Sequence, residues 1–121
     1  MKHKEVEEYI LSLPNAKLVY PFGKEVAVYE VNGSNKGSGP DTSTGLVQAK
    51  MFALIQEGSD PVRLSLKCDP QLAVLLREKY ETVLPGYHLN KKHWNTLILT
   101  GQLEWQEVKD LINLSYQLVT Q

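Results

Sequence analysis

Apolar residues recur every three or four positions near both ends of the chain, as they do on one face of an amphipathic helix. The N-terminal stripe ends at Pro14, because proline cannot continue a helix, and the C-terminal stripe runs from about Glu104 to Thr120. We therefore predict a short first helix and a long last helix. The first stripe consists of Val6, Tyr9, Ile10 and Leu13.

Between these helices the pattern is that of β-strands. Residues 26–31 and 94–99 are rich in β-branched and large apolar side chains, and residues 50–56 form an apolar run typical of a strand buried on both faces. Residues 62–67 alternate strictly, which predicts one apolar face and one polar face. The apolar set is Val62, Leu64 and Leu66, and the polar set is Arg63, Ser65 and Lys67.

A further helix is predicted to start at Asp69 and Pro70, since aspartate accepts hydrogen bonds from free amides and proline suits the first helical position. The predicted order is helix, three strands, helix, one or two strands, helix, and short connections favour antiparallel pairing. We predict a single α+β domain over residues 1–121, with an antiparallel sheet flanked by an N-terminal, a middle and a long C-terminal helix. The stripe of the middle helix consists of Leu72, Leu75, Leu76 and Tyr80.

Residues 32–46 interrupt this pattern with glycine, serine, asparagine and threonine. Clustered glycines bind phosphate where a helix follows, but here a strand is predicted to follow, and the segment lacks a Gly-Lys-Ser or Gly-Lys-Thr ending. We therefore predict a flexible hairpin tip and not a nucleotide-binding loop.

The charge of the chain limits how it can bind a partner. Its 121 residues carry a formal net charge of −1, and the pI is near 6.3. Proteins that bind nucleic acid through their overall field carry a clear basic excess. Any binding to nucleic acid must therefore use a local patch.

Cysteine content and hydropathy indicate the compartment. Cys68 is the only cysteine, which excludes an intrachain disulfide. The N-terminal sequence turns acidic where a secretory signal is apolar, and no window approaches the roughly 20 apolar residues of a membrane span. We expect a cytoplasmic protein outside the membrane, and a monomer.

The richest chemistry lies in residues 85–97, which read PGYHLNKKHWNTL. No acidic residue occurs between Glu81 and Glu104. Lysines there can approach phosphates, asparagines can hydrogen-bond base edges, and aromatic rings can stack on bases. A scaffold role suits the same residues equally well, with Trp94 in the core and Tyr87 packed across the sheet.

No catalytic or metal-binding set emerges. His88 and His93 are five residues apart, which matches no standard helical ligand pair, and no Cys, Asp or Glu lies in the same run to complete a metal shell. Cys68 lacks an identifiable base, so a buried structural thiol is the better interpretation. We expect no metal, no cofactor and no enzymatic activity, and an acid/base histidine is the weakest alternative.

Residues 85–96 closely resemble the signature of the MmcQ/YjbR-like family of small bacterial proteins, Pro-Gly-Tyr-His-x-Asn-Lys-x-His-Trp-Asn, which precedes the last helix. YPFG at 20–23, KMFAL at 50–54 and SYQLV at 115–119 agree as well, so the resemblance spans nearly the whole chain. It implies an α+β fold of the CyaY-like type and a DNA-binding protein with no established reaction. The segment 32–46 departs from the family, which turns tightly there.

The leading interpretation is a non-enzymatic module that binds DNA through a local basic and aromatic patch. The alternative is a small-molecule or protein-interaction domain in which Tyr87, His88, His93 and Trp94 line a pocket or contact patch. Three strand residues join the DNA site only if their side chains point to its side of the sheet. The candidate DNA-contacting residues are Tyr87, His88, Asn90, Lys91, Lys92, His93, Trp94 and Asn95, with Lys50, Arg63 and Lys67 from the strands.

Overall fold

The computed structural model describes residues 1–32 and 49–121. The predicted hairpin tip at 32–46 lies outside the described residues, except for Asn32. None of the described helices is long and apolar enough to cross a membrane. In chain order the described elements are α1 (His3–Leu11), β1 (Lys17–Val19), β2 (Val26–Asn32), β3 (Ala49–Gln56), β4 (Arg63–Lys67), α2 (Pro70–Lys79), β5 (Val83–Pro85), β6 (Trp94–Ile98) and α3 (Trp105–Thr120).

The strands form one antiparallel sheet in the order β1-β2-β3-β4-β6-β5. The α+β class and the antiparallel pairing predicted from the sequence are confirmed. The predicted order of elements lacks β1, because a strand of three residues is too short to show a two-residue period.

All three helices pack on one face of the sheet, which we call the helix face. α1 contributes Val6 and Ile10 to the main core there, α3 contributes Val108 and Ile112, and α2 adds the half-buried Leu76. We call the opposite face, which no described helix covers, the open face.

Loops cover part of the open face. Val28, Leu54 and Trp94 form a second buried cluster on it, and Leu89 from the β5–β6 connection packs against this cluster. The connection spans residues 86–93 and carries most of the sequence signature. The most distinctive run of the chain is therefore folded over the open face of the sheet.

Two predicted side-chain positions are wrong. The alternation predicts Ser65 outside, but it is buried, and its hydroxyl is satisfied by pairing with that of Thr96 at 2.8 Å. The helical spacing predicts Leu75 in the core, but it is 60% exposed and Ala73 is buried instead. The small Ala73 side chain lets α2 approach β6 closely, where Asn95 Nδ2 donates to Ala73 O at 3.2 Å.

A β-bulge interrupts the pairing of β2 with β3. Tyr29 pairs with Ala53 but Glu30 pairs with Met51, which leaves Phe52 as the extra residue. A bulge of this kind shifts the alternation of side chains by one position along the bulged strand. In β3, each side chain before Phe52 therefore lies on the sheet face opposite to the one that uninterrupted alternation predicts.

Candidate functional site

The loop 86–93 is held in shape by hydrogen bonds of its backbone to β6 and to the side chain of Asn90. Gly86 N donates to Trp94 O at 2.9 Å and closes the base of the loop. Lys92 N donates to Asn90 Oδ1 at 2.9 Å, which forms a local turn of the kind that asparagine favours. The loop is therefore a built element of the fold.

Arg77 in α2 braces the loop from the helix face. Its Nε donates to Asn95 Oδ1 at 2.6 Å, and its Nη2 donates to Lys91 O and, at 3.4 Å, to Trp94 O. The sequence pattern did not single out Arg77, because an arginine in the last turn of a helix is commonly a solvated cation that favours the helix dipole. Only the packing of α2 on β6 reveals its partners.

Trp94 and Asn95 lie inside the protein. Trp94 is 7% exposed and packs with Val28 and Leu54, and Asn95 is 1% exposed with both ends of its amide hydrogen-bonded. Stacking of a base on Trp94 and hydrogen bonding of base edges by Asn95 would require both side chains to leave the core. In this fold Trp94 packs beneath the loop on the open face, and Asn95 joins β6 to α2 on the helix face.

The other candidate residues of the loop remain accessible. Tyr87 is 56% exposed, and its ring centroid lies 3.9 Å from that of His88 at an interplanar angle of 51°. His88 has φ of 59°, a left-handed backbone conformation that is uncommon for residues other than glycine. Lys91 Nζ donates to Gly86 O at 3.1 Å. The exposed candidates are Tyr87, His88, Asn90, Lys91 and Lys92, and His93 is half-buried.

The strand cations divide between the two faces. Arg63 and Lys67 alternate with the core residue Leu64 and so lie on the open face, the face that the loop covers. Lys50 pairs with Val31, a member of the main core, so the bulge places Lys50 on the helix face. The structure therefore brings Arg63 and Lys67 to the side of the loop and separates Lys50 from it.

A cavity of about 470 Å³ opens on the open face between the loop and the turn that precedes β2. Its lining includes three residues with aromatic rings, Phe22 at 60% exposure from the turn and Tyr87 with His88 from the loop. Cavities of this size that combine aromatic and apolar residues with polar groups are typical of ligand sites. The sequence signal for Phe22 was the turn motif YPFG, which places a large ring where turns are ordinarily polar. Polar side chains in the lining include Glu25, Gln56, Arg63, Ser65 and Thr96.

Two hydroxyls fix the loop to the floor of the cavity. Thr96 Oγ1 pairs with Ser65 Oγ at 2.8 Å and accepts a hydrogen bond from Tyr87 N at 3.0 Å. The backbone of Tyr87 is therefore anchored, although its ring is exposed. Because the backbone is already ordered, a ligand that stacks on the ring has to order only the side chain of Tyr87.

Metal and thiol chemistry find little support in this arrangement. Among residues 1–32 and 49–121, no three or more His, Cys, Asp or Glu side chains cluster as metal ligands would. Cys68 is buried, and its burial, together with the negative charge of Asp69, raises the pKa of the thiol to about 11. The thiol is therefore protonated near neutral pH, and the predicted burial of Cys68 is confirmed.

Known structures share this fold. The crystal structure of Deinococcus radiodurans protein DR2400, with the family domain DUF419, matches with a TM-score of 0.80 and 34% identity, over 96% of this chain and 76% of that chain. The crystal structure of a Pseudomonas syringae protein matches with a TM-score of 0.72 and 27% identity, over 98% of this chain and 99% of that chain. This chain therefore shares its overall fold with proteins of Deinococcus radiodurans and Pseudomonas syringae.

Sequence relatives agree with the structural match. The uncharacterized protein YbdF of Escherichia coli O157:H7 is 32% identical over 117 residues, which cover 97% of this chain and 83% of YbdF. The uncharacterized protein YjbR of Escherichia coli strain K12 is 41% identical over 71 residues, which cover 59% of this chain and 60% of YjbR. The sequence model of the YjbR family matches residues 11–118. The chain therefore belongs to the YjbR family.

Proposed function

We propose that this protein binds nucleic acid through the open face of its sheet and does not catalyse a reaction. One observation carries the proposal: the exposed aromatic residues Phe22 and Tyr87 line the same cavity as Arg63. Exposed aromatic rings stack on bases, and arginine forms paired hydrogen bonds with phosphate. The three side chains together offer contacts to both parts of a nucleotide.

Further cations on the same side support contacts to a phosphate backbone. Lys91 and Lys92 are exposed on the loop, and Lys67 follows Arg63 along the same face of β4. With about three to five phosphate contacts, affinity falls steeply as salt rises, because bound counterions are released. Lys50 lies on the helix face and contributes little to this surface.

Fluorescence anisotropy with labelled single-stranded and duplex DNA over a salt series tests the proposal. The double variant Lys91→Ala/Lys92→Ala is expected to bind more weakly at low salt and to show a flatter salt dependence. The matched control is Lys2→Ala/Lys4→Ala, which removes two exposed lysines from the α1 region and leaves binding unchanged. Binding that ignores salt, or no binding at low salt, would sink the proposal.

A second candidate function is favoured by the cavity alone. Its volume of about 470 Å³ suits a small molecule, with Tyr87 and His88 as wall residues. In that case Lys91→Ala/Lys92→Ala leaves ligand binding intact, whereas Tyr87→Ala or His88→Ala abolishes it without lowering the melting temperature. Chemical-shift mapping against a metabolite panel and DNA separates the two functions.

A further inference from the structure

The cavity on the open face points to a narrower ligand than nucleic acid in general. We infer that it holds one unstacked nucleotide, with the base between Phe22 and Tyr87 and the phosphate at Arg63; this inference rests on the nucleic-acid binding proposed above. A nucleotide is a planar ring joined to an anion, whether it is free or part of a strand. The cavity offers a site for each part.

The base is matched by the aromatic sides of the cavity. Phe22 and Tyr87 are 60% and 56% exposed, so the fold leaves two large rings in water at the same opening. Ser65 and Thr96 also line the cavity, and their hydroxyls already pair with each other at 2.8 Å. A ligand therefore need not form hydrogen bonds with these two hydroxyls. Its binding free energy comes mainly from covering the aromatic rings, as a stacked base does.

The phosphate is matched by Arg63. Arg63 is exposed, lines the cavity and forms no ion pair with any residue in 1–32 or 49–121. A guanidinium without a carboxylate partner is well suited to paired hydrogen bonds with phosphate. Glu25 also lines the cavity and repels a phosphate, which favours the Arg63 side for the anion. Its carboxylate can instead accept a hydrogen bond from an exocyclic amino group of the base.

The shape of the open face disfavours intact duplex DNA as the ligand of the cavity. An α-helix is one element that enters the major groove, and within residues 1–32 and 49–121 all three helices lie on the opposite face of the sheet. A base must leave its stack to enter a cavity. That step costs least in a single strand, so single-stranded nucleic acid is expected to bind better than duplex.

A competition experiment with the 121-residue chain tests this inference. A labelled DNA strand of about ten nucleotides, within the range of known single-strand site sizes, is displaced by four unlabelled competitors. They are the same strand, its duplex, a strand of equal length with abasic sugars throughout, and a mononucleotide. The intact strand is expected to compete about tenfold better than the duplex or the abasic strand, since each stacked base contributes a factor of that order.

Matched variants locate the base and the phosphate. Phe22→Ala and Tyr87→Ala are each expected to lower affinity about tenfold, whereas Tyr87→Phe keeps the ring and retains binding. Arg63→Gln weakens the intact strand and the abasic strand alike, because both keep the phosphate. Leu75→Ala is the control, since Leu75 matches Phe22 in exposure but lies on α2. The melting temperature of each variant shows that the fold is intact.

The outcomes separate this inference from the proposed function. If strands bind but the abasic competitor equals the intact strand, and neither ring variant changes affinity, the nucleotide site is wrong and nucleic-acid binding stands. If the mononucleotide binds in a Tyr87-dependent manner and no strand binds, the site is right for a free nucleotide and the nucleic-acid function is wrong. If none of the DNA ligands binds, both are overturned.

Discussion

Gly86 lies against Trp94 with no room for a side chain. A Cβ on Gly86 would lie 2.7 Å from Trp94 Cβ and 3.1 Å from Trp94 O, while Gly86 N donates to that same oxygen at 2.9 Å. Leu89 Cβ closes the third side at 3.2 Å. This contact sets the start of the loop 86–93, one residue before the exposed ring of Tyr87.

Replacement of Gly86 by alanine is expected to destabilise the protein by about 1–3 kcal/mol, because the added methyl group forces the backbone of the loop away from β6. Urea denaturation measures the free energy of unfolding. Lys92→Ala, an exposed change in the same loop, is the control and should stay within about 0.5 kcal/mol of the wild type. Equal stabilities for the two variants would show that the loop accommodates the methyl group.

Arg77→Lys tests the brace between α2 and the loop. Lysine keeps the charge but lacks the planar guanidinium group. It therefore cannot donate hydrogen bonds to Asn95 Oδ1 and to two backbone carbonyls at the same time. We expect a loss of about 1–3 kcal/mol, because a buried acceptor is left unpaired. Hydrogen exchange at Cys68 N, which donates to His93 O at 2.7 Å, should speed up. Glu78→Gln, an exposed neighbour, should leave both quantities unchanged.

How accurately each helix or strand was predicted depended on its length and on how clearly its apolar and polar positions alternate. α3, with its long apolar stripe, and α2, with Asp69 accepting from Gln71 N and Leu72 N, were predictable because local rules suffice there. The three-residue strands β1 and β5 carry too few positions for a period. The bulge at Phe52 follows from how β2 and β3 pair, which local sequence does not encode.

The candidate site was also predicted only in part from the sequence. Local composition identified the loop 86–93, but it could not tell that Trp94 and Asn95 point inward whereas Tyr87 points outward. That distinction depends on α2 and on the second cluster of the open face, which are distant in sequence. Phe22 reaches the cavity only because the sheet folds its turn toward the loop. The sequence therefore identified functional side chains within one segment, but it could not predict which segments come together at the cavity.

Ser115 joins α3 to the sheet beside the bulge. Its Oγ donates to Phe52 O at 2.6 Å and accepts from Lys67 N at 3.0 Å, and the residue is fully buried. Ser115→Ala leaves two backbone groups without this partner, and we expect a loss of about 1–3 kcal/mol for each group left unpaired. Chemical denaturation of this variant and of Ser12→Ala, an exposed serine, provides the comparison. A change no larger than that of Ser12→Ala would mean that water replaces the hydroxyl.

Glu107 makes the start of α3 sensitive to acid. The hydrogen bond from Tyr80 OH at 2.6 Å, followed by that from Glu104 N at 3.0 Å, lowers the pKa of Glu107 below its ordinary value of 4.5. A lowered pKa in the folded state contributes stability that is fully present above the ordinary value. That contribution is lost as the pH falls through the lower, folded value.

The free energy of unfolding between about pH 6 and pH 3 measures this contribution. The wild type should lose stability more steeply over this range than Glu107→Gln, whose side chain does not titrate. Tyr80→Phe removes the larger cause of the shift and should give an intermediate slope. Parallel curves for the wild type and Glu107→Gln would rule out the linkage.

The buried thiol of Cys68 should resist alkylation while the protein is folded. Burial, and then Asp69, raises its pKa to about 11 from an ordinary 9.0, and the reactive thiolate is therefore scarce near neutral pH. Mass spectrometry after iodoacetamide treatment should show slow labelling in buffer and fast labelling in urea. Because Asp69 raises the pKa, Asp69→Asn should lower the pH at which native labelling begins, and asparagine still caps α2. If native labelling instead rose to half its maximum near pH 9, the thiol would be solvated, and the packing between β4 and α2 would have to open around it.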